Sequence, residues 1–331
     1  MNSNYKDGLL IVSLAVVLGL TALLACNWGA AEISWAKFWQ GELTKVQRTI
    51  IFQLRLPRIV LTALVGIALA SSGVTFQGLF KNSMADPYII GISSGASLGA
   101  VIAINYGFNS YWHGISLVSL FAFVGALLTV LVVYKLATVG GRIPVGTLLL
   151  AGIALSFFLS ALVSLVMILN QQSLQQVVYW LMGSLSASNW QEVKMITPVI
   201  IITWSIIYYF AEDLNIMLLG DERAHYLGVT VSKVKLVLLV TASLLTGIAV
   251  SVSGVIGFVG LIIPHIVRLL TGPNHRILLP TSALVGGIFL IITDTLARTI
   301  LAPTEIPVGI ITALCGAPFF IYLLQQKEVR F

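Results

Sequence analysis

The sequence predicts an all-α, polytopic membrane fold of about ten transmembrane helices, built as one domain over residues 1–331. Three observations predict it. Of the 331 residues, 58% are hydrophobic and 9% charged, against roughly a quarter charged in a soluble domain. Between those charges lie uncharged runs long enough to cross a bilayer core, which takes about 20 residues of helix. The surplus of 18 Lys+Arg over 12 Asp+Glu, a net charge of +6, is scattered singly between apolar runs. A nucleic-acid binder would gather it into a patch, so the expected partner is the lipid bilayer and not nucleic acid. Cys26 and Cys315 lie far apart in or beside apolar stretches, which supplies neither a disulfide framework nor a metal-ligand spacing, and no metal or cofactor is expected.

The elements follow in chain order. Gly8 to Cys26 makes a first span, and Ile59 to Phe80, bounded by Arg58 and Lys81, a second. Pro87 to Tyr134 carries no charge but is divided by the polar turn Asn105, Tyr106, Gly107, Asn109 and Ser110, giving a helical hairpin. A fifth span runs from about Thr147 to Leu169, followed by polar Asn170, Gln171, Gln172 and Ser173 and a short piece ending near Trp180 that need not cross the membrane. Met195 to Phe210 and Leu236 to Val252 are the sixth and seventh spans. Ser253, Gly254, Gly257 and Gly260 then break the pattern before a short apolar stretch ending at Arg268, which reads as a half-length or re-entrant helix. Leu278 to Ala297 and Ile306 to Leu324 complete the set.

An even number of spans puts both termini on one side. The larger set of basic residues (Lys6, Lys81, Lys135, Arg142, Arg223, Lys233, Lys235, Arg268, Arg276, Lys327 and Arg330) then places both in the cytoplasm. The smaller, outer set includes Arg55, Arg58 and Arg298, which violate the positive-inside bias. Leu23-Leu24-Ala25-Cys26 resembles a lipoprotein cleavage box, but only Lys6 precedes the apolar run, and the segment is expected to stay as a span.

Candidate chemistry is sparse. No lysine follows a glycine, so the phosphate-cradling Gly-Lys-Ser/Thr loop is absent and ATP hydrolysis belongs on another subunit. No Ser/His/Asp set or carboxylate pair lies at one membrane depth, and His113, His225, His265 and His275 have no ligand-like spacing. The chain is therefore expected to transport and not to catalyse. Gly91, Gly95 and Gly99 recur every four residues, a smooth stripe for close helix packing or, with Ser93 and Ser94, the border of a substrate path. Asp294 and Arg298, four apart on one helix face, are expected to pair. Residues 212–232 read as a compact inner loop. Leu214 to Gly220 and Asp221 to Gly228 form two short helices, each closed by a glycine, with Asp221 placed to cap the second.

Taken together, these motifs resemble the permease subunits of the iron-chelate (siderophore and haem) and cobalamin ABC importers, the FecCD-type permeases. Arg55-Leu-Pro-Arg58 with Gly66, Ala68, Gly73 and Gln77 carries the resemblance, followed by Asn82, Ala85, Pro87, Gly91, Gly95 and Ala96. Trp180, Gly183-Ser184, the Leu214 to Val229 loop, Gly254 to Arg268, Gly272, His275-Arg276, Asp294, Arg298, Glu305 and Pro307-Val-Gly309 continue it in order. Ser83-Met84 departs from the Pro-Leu more common there.

The resemblance implies a type II ABC importer permease fold, a second permease copy around one path, two separate ATPase subunits and an extracytoplasmic binding protein that delivers a metal chelate. It implies a path lined chiefly by spans five and ten, with help from three and eight, in a bacterial inner membrane. On that basis Leu214, Leu218, Gly220, Asp221, Ala224, Leu227 and Gly228 are expected to couple to the ATPase. Gln77, Ser93, Ser94, Gly95, Gln172, Trp180, Gly183, Ser184 and Pro307 are expected to line or gate the path, with residues 170–190 as an outer gate. Arg55, Arg58 and Arg298 are expected either to anchor helix ends on lipid phosphates or to dock the binding protein through bidentate carboxylate contacts. The competing expectation is an ion-coupled secondary transporter, for which Asp294 is the one carboxylate deep enough to bind a coupling ion.

Overall fold

The structure is a computed structural model and describes residues 3–29, 44–108, 110–112, 115–138 and 144–325. Asn109 of the dividing turn, His113, and Arg142, Lys327 and Arg330 of the larger basic set lie outside the described residues. Helices are α1 (Ser3–Asn27), α2 (Leu56–Phe80), α3 (Ile92–Asn105), α4 (Leu117–Ala137), α5 (Val145–Leu169), α6 (Leu174–Leu181) and α7 (Trp190–Tyr209). They continue with α8 (Ala211–Met217), α9 (Asp221–Tyr226), α10 (Val231–Ser253), α11 (Val259–Thr271), α12 (His275–Thr299) and α13 (Val308–Gln325). Among the described residues, seven helices are long and apolar enough to span a bilayer, namely α1, α2, α4, α5, α7, α10 and α12. The shorter apolar helices α3, α11 and α13 bring the expected ten together. The only strands described are the two-residue pair Tyr111–Trp112 and Ile115–Ser116, which closes the α3–α4 hairpin.

Lipid tails are as apolar as leucine, so helix association in a bilayer depends on close backbone approach rather than on a hydrophobic gradient. The sequence supplies that approach with small residues. A β-carbon on Gly66 would lie 2.3 Å from the Gly286 carbonyl oxygen, and one on Gly73 would lie 1.9 Å from that of Gly260. Helix α2 is thereby held against α12 and α11, and Ser72 adds a hydroxyl bond of 3.0 Å to the Ala242 carbonyl of α10. These contacts make α2 the central post, with α10 and α12 the next most enclosed. Helices α1 and α5 lie at the rim with most of their apolar side chains outward.

The glycine stripe is a packing seam. A β-carbon on Gly95 would meet Thr129 Oγ1 at 2.0 Å, and one on Gly99 would meet the Phe121 carbonyl oxygen at 2.1 Å, both on α4. Close packing is therefore one use this face serves.

Two local features were not legible in the periodicity. Ile50–Arg55 forms a π-helical turn that runs straight into α2, so Pro57 lies within a continuous helical run and withholds an N–H from it; the Phe52 carbonyl, five residues earlier, accepts instead from Trp190 Nε1 at 2.7 Å. Phe258, at the N-terminus of α11, sits at φ 70°, ψ −25°. Left-handed backbone is unfavourable for a bulky aromatic residue. A β-carbon on Gly316 of α13 would lie 2.5 Å from the Phe258 ring, so the ring takes the space that glycine leaves.

Candidate functional site

Helix α2 separates two clusters of polar residues by its own length, about 37 Å for 25 residues at 1.5 Å each. Arg58 stands at its first turn, and Lys81 caps its far end in a left-handed conformation (φ 50°, ψ 39°).

At the first end, Arg55, Arg58 and Arg298 converge, drawn from the π-turn, α2 and the last turn of α12. They are not presented as a bare cationic patch. Arg58 lays its guanidinium across the Asp294 carboxylate, with Nε at 3.0 Å and 3.2 Å and Nη2 at 2.8 Å. Its Nη1 donates to both oxygens of Glu305 at 2.9 Å. Arg55 is buried and donates to the Cys26 and Asn27 carbonyls at 2.8 Å and 3.2 Å. Arg298, also buried, donates to the Ala25 carbonyl. A helix leaves its last four carbonyls unpaired and carries partial negative charge there. Arg55 and Arg298 therefore cap the C-terminus of α1 and staple it to α2 and α12.

The expected Asp294–Arg298 pair is thus replaced. Asp294 takes its guanidinium from α2, across the helix interface, because Arg298 is committed to the end of α1. Removing Arg58 alone would leave the buried Asp294 carboxylate without its bidentate donor, a cost of about 3–5 kcal/mol. The exposed charged group of this cluster is Glu305, its side chain 42% exposed against 12% for Arg58.

The segments expected to gate the path meet at the same end. The turn after α6, the break after α10 and the start of α13 interlock backbone to backbone. Ser184 N–H donates to the Ser253 carbonyl at 2.8 Å. A β-carbon on Gly254 would lie 2.1 Å from the Trp180 carbonyl oxygen, and one on Gly309 would lie 2.2 Å from that of Met182 and 3.1 Å from that of Val255. Gly183 holds φ 75° within this junction. Pro307 is buried beside it, and Gln172 is exposed on the turn leading into α6. That turn is tied to α3, where Asn170 Nδ2 donates to the Asn105 carbonyl at 3.0 Å. Gln77 lies elsewhere, buried between α2 and α11, with Nε2 donating to the Leu261 carbonyl at 3.0 Å. Ser93 and Ser94 are half-buried in the first turn of α3.

The second end carries the loop of α8 and α9. Leu214, Met217 and Ala224 are fully buried and anchor it, whereas Leu218, Leu219, Leu227 and Tyr226 are exposed, Tyr226 by 88%. Gly220 and Gly228 hold φ 110° and 89°, which only glycine adopts without strain. Asp221 does not cap α9 as expected. Gly220 occupies the N-cap, and the Asp221 carboxylate instead accepts from Lys81 Nζ at 2.8 Å and from Lys235 Nζ. Partial burial raises the Asp221 pKa, but the hydrogen bonds from Lys235 and Lys81 outweigh it and hold the carboxyl below its ordinary value. Asn215 adds a second tie, its Oδ1 accepting from the His275 N–H at 2.8 Å at the start of α12. The loop is therefore fastened to α2, α10 and α12 while its apolar tip stays uncovered.

Known proteins resemble the chain over nearly its whole length. The cobalamin import system permease protein BtuC of Halobacterium salinarum is 47% identical over 303 residues, 92% of this chain and 80% of that protein. The hemin transport system permease protein HmuU of Yersinia pestis is 41% identical over 338 residues, covering 100% of this chain and 99% of that one. A metal-chelate type ABC transporter solved in an inward-facing conformation superposes with a TM-score of 0.86 at 35% identity, covering 95% of this chain and 98% of its own. Residues 14–326 match the FecCD transport family, and with a helical bundle of the ABC importer permease type over the same span, the chain belongs to that family.

Proposed function

We propose that the chain is the transmembrane permease subunit of a binding-protein-dependent ABC importer that moves a metal chelate into the cytoplasm. The observation that carries this reading is the polarity of α2, with a charged cluster and an interlocked gate at one end and a glycine-delimited apolar knob at the other. Such a bundle takes a cargo carrier on one face and a motor on the other. The cargo class is proposed from the relatives, whose names include cobalamin and hemin transport; an iron chelate, ferric siderophore or haem, is the reading we favour.

The finer assignments follow. Arg58 docks the extracytoplasmic binding protein, an acidic residue of which engages its outward face, while the buried Arg55 and Arg298 support it from behind by holding the end of α1. Residues 170–190 form the outer gate with Gly254 and Pro307. The exposed tip of the 212–232 loop enters a groove on one of two ATPase subunits, its helices being too short to persist without an anchor. A second permease copy covers the outward apolar faces of α5 and α13, where Phe157 is 75% and Leu314 67% exposed. Both termini lie in the cytoplasm of a bacterial inner membrane.

Ion-coupled secondary transport is the weaker reading, because the deep carboxylate it needs, Asp294, is bound by Arg58. The binding protein supplies the substrate test. Isolated with its ligand, it should retain a ferric siderophore, haem or cobalamin. Affinity for none of these would overturn the cargo assignment.

A further inference from the structure

The geometry of the first-end cluster divides one guanidinium into two faces. The Nε/Nη2 face of Arg58 is filled by Asp294, whose side chain is 3% exposed, and that contact is structural. The Nη1 face is filled by Glu305, which is exposed and reaches Arg58 from a different part of the chain. Glu305 lies on the short turn between α12 and α13. The turn is held at its end by the Ile306 N–H donating to the Ala297 carbonyl at 3.0 Å. Two residues beyond Pro307, Gly309 rests against the Met182 and Val255 carbonyls of the gate junction. A short covalent path thus joins the outward face of Arg58 to the gate.

Resting on the docking reading, we infer that Glu305 is a resident surrogate for the partner's carboxylate. In the unpartnered permease it occupies the outward face of Arg58. A carboxylate of the docking protein takes that face in the complex, releases Glu305, and frees the turn of residues 300–307 to shift α13 at the gate. The chemistry is an exchange of one carboxylate for another on the same donor, with no change in the net charge of the buried pair. Docking is thereby linked to gating through a bond that must break for the partner to bind. Until it breaks, Glu305 also lowers the positive potential that an acidic partner meets.

The test uses the assembled transporter in lipid nanodiscs and its substrate-binding protein. Glu305→Gln keeps the shape of the turn and removes the competing charge. Association of the binding protein should accelerate about three- to tenfold at low salt, with a steeper salt dependence, since the site gains one positive charge. A spin label on a Thr304→Cys variant should become more mobile when the binding protein docks, and should already be mobile without it in Glu305→Gln. Unchanged or slower association in Glu305→Gln, or a label that docking does not mobilise, would overturn the inference. A paired Arg58→Gln/Asp294→Asn variant, which leaves no buried carboxylate unpaired, separates the two ideas. If it binds the partner normally, the docking reading itself falls. If it loses binding while Glu305→Gln behaves as the unaltered protein, only the surrogate falls.

Discussion

Gly73→Ala puts a β-carbon where α2 crosses α11. Placed on the present backbone, it would lie 1.9 Å from the Gly260 carbonyl oxygen, 2.6 Å from its carbon and 2.8 Å from its Cα, whereas ordinary contact begins near 3.4 Å. The obstacle is backbone, so no rotamer relieves it, and the helices must separate by the difference, about 1.5 Å. One turn further along, Gln77 Nε2 reaches the Leu261 carbonyl at 3.0 Å. A shift of that size carries the bond past 3.5 Å and leaves a buried amide unpaired. Overpacking costs about 1–3 kcal/mol and an unmade buried hydrogen bond about 1–3 kcal/mol, so Gly73→Ala should destabilise by about 2–6 kcal/mol. Reversible unfolding of the purified permease in mixed micelles reads that directly. Gly19→Ala is the control, since Gly19 lies within α1 with nothing inside 4 Å of an added β-carbon. It should be neutral or gain up to about 1 kcal/mol of helix propensity. Equal stability of Gly73→Ala and Gly19→Ala would refute the close-crossing account of how α2 is held.

Gly220→Val or Gly228→Val meets open space, so its effect is backbone strain alone, about 1–3 kcal/mol confined to the knob. Membrane insertion should be normal while ATP hydrolysis and uptake lose their coupling, and unimpaired uptake in both variants would contradict that role. Asp221→Asn removes a carboxylate whose pKa the folded state depresses, so the native group contributes stability above the ordinary carboxylate pKa and loses it as pH falls through the folded value. The variant should be less stable by no more than about 1 kcal/mol at pH 7, because solvent screens so exposed a pair, and thermal scans should begin to converge with the unaltered protein as pH falls below about 4 and meet only below the depressed folded value. Divergence that persists in acid would assign the effect to something other than the lysine pairs. Phe258→Gly relieves a left-handed aromatic residue but opens the space beside Gly316, so a strain relief of about 1–3 kcal/mol opposes a larger loss of about 3–5 kcal/mol from the missing ring. Net destabilisation is expected, and a more stable variant would show that the ring contributes little packing.

The fold was largely legible because bilayer physics makes it so. Charge-bounded apolar runs mark spans whatever their packing, and α1, α2 and α5 fall within a few residues of the limits read from sequence. Glycine breaks located the half-length α11 and the two short helices of the knob for the same reason. Side-chain commitments were less legible. That Arg298 serves the carbonyls of α1 and not Asp294 depends on which helix ends lie side by side, which spacing within one helix does not encode. Asp221 reads as a cap from its place after Gly220, yet Lys81 at the far end of α2 and Lys235 in the first turns of α10 take its carboxylate through tertiary contacts. For Glu305 the sequence offered its place in the motif series and its position as an isolated acid between two apolar spans, close to a turn proline, but neither names Arg58 as its partner.

The central claim is that this bundle is a passive path driven by an external motor and loaded by an external carrier. Uptake into proteoliposomes tests it most directly, with the permease, its ATPase subunits and its chelate-loaded binding protein present or withheld one at a time. Accumulation should require all three together with ATP and should be indifferent to an imposed proton or sodium gradient. Uptake driven by an ion gradient with the ATPase and binding protein both absent would contradict the account.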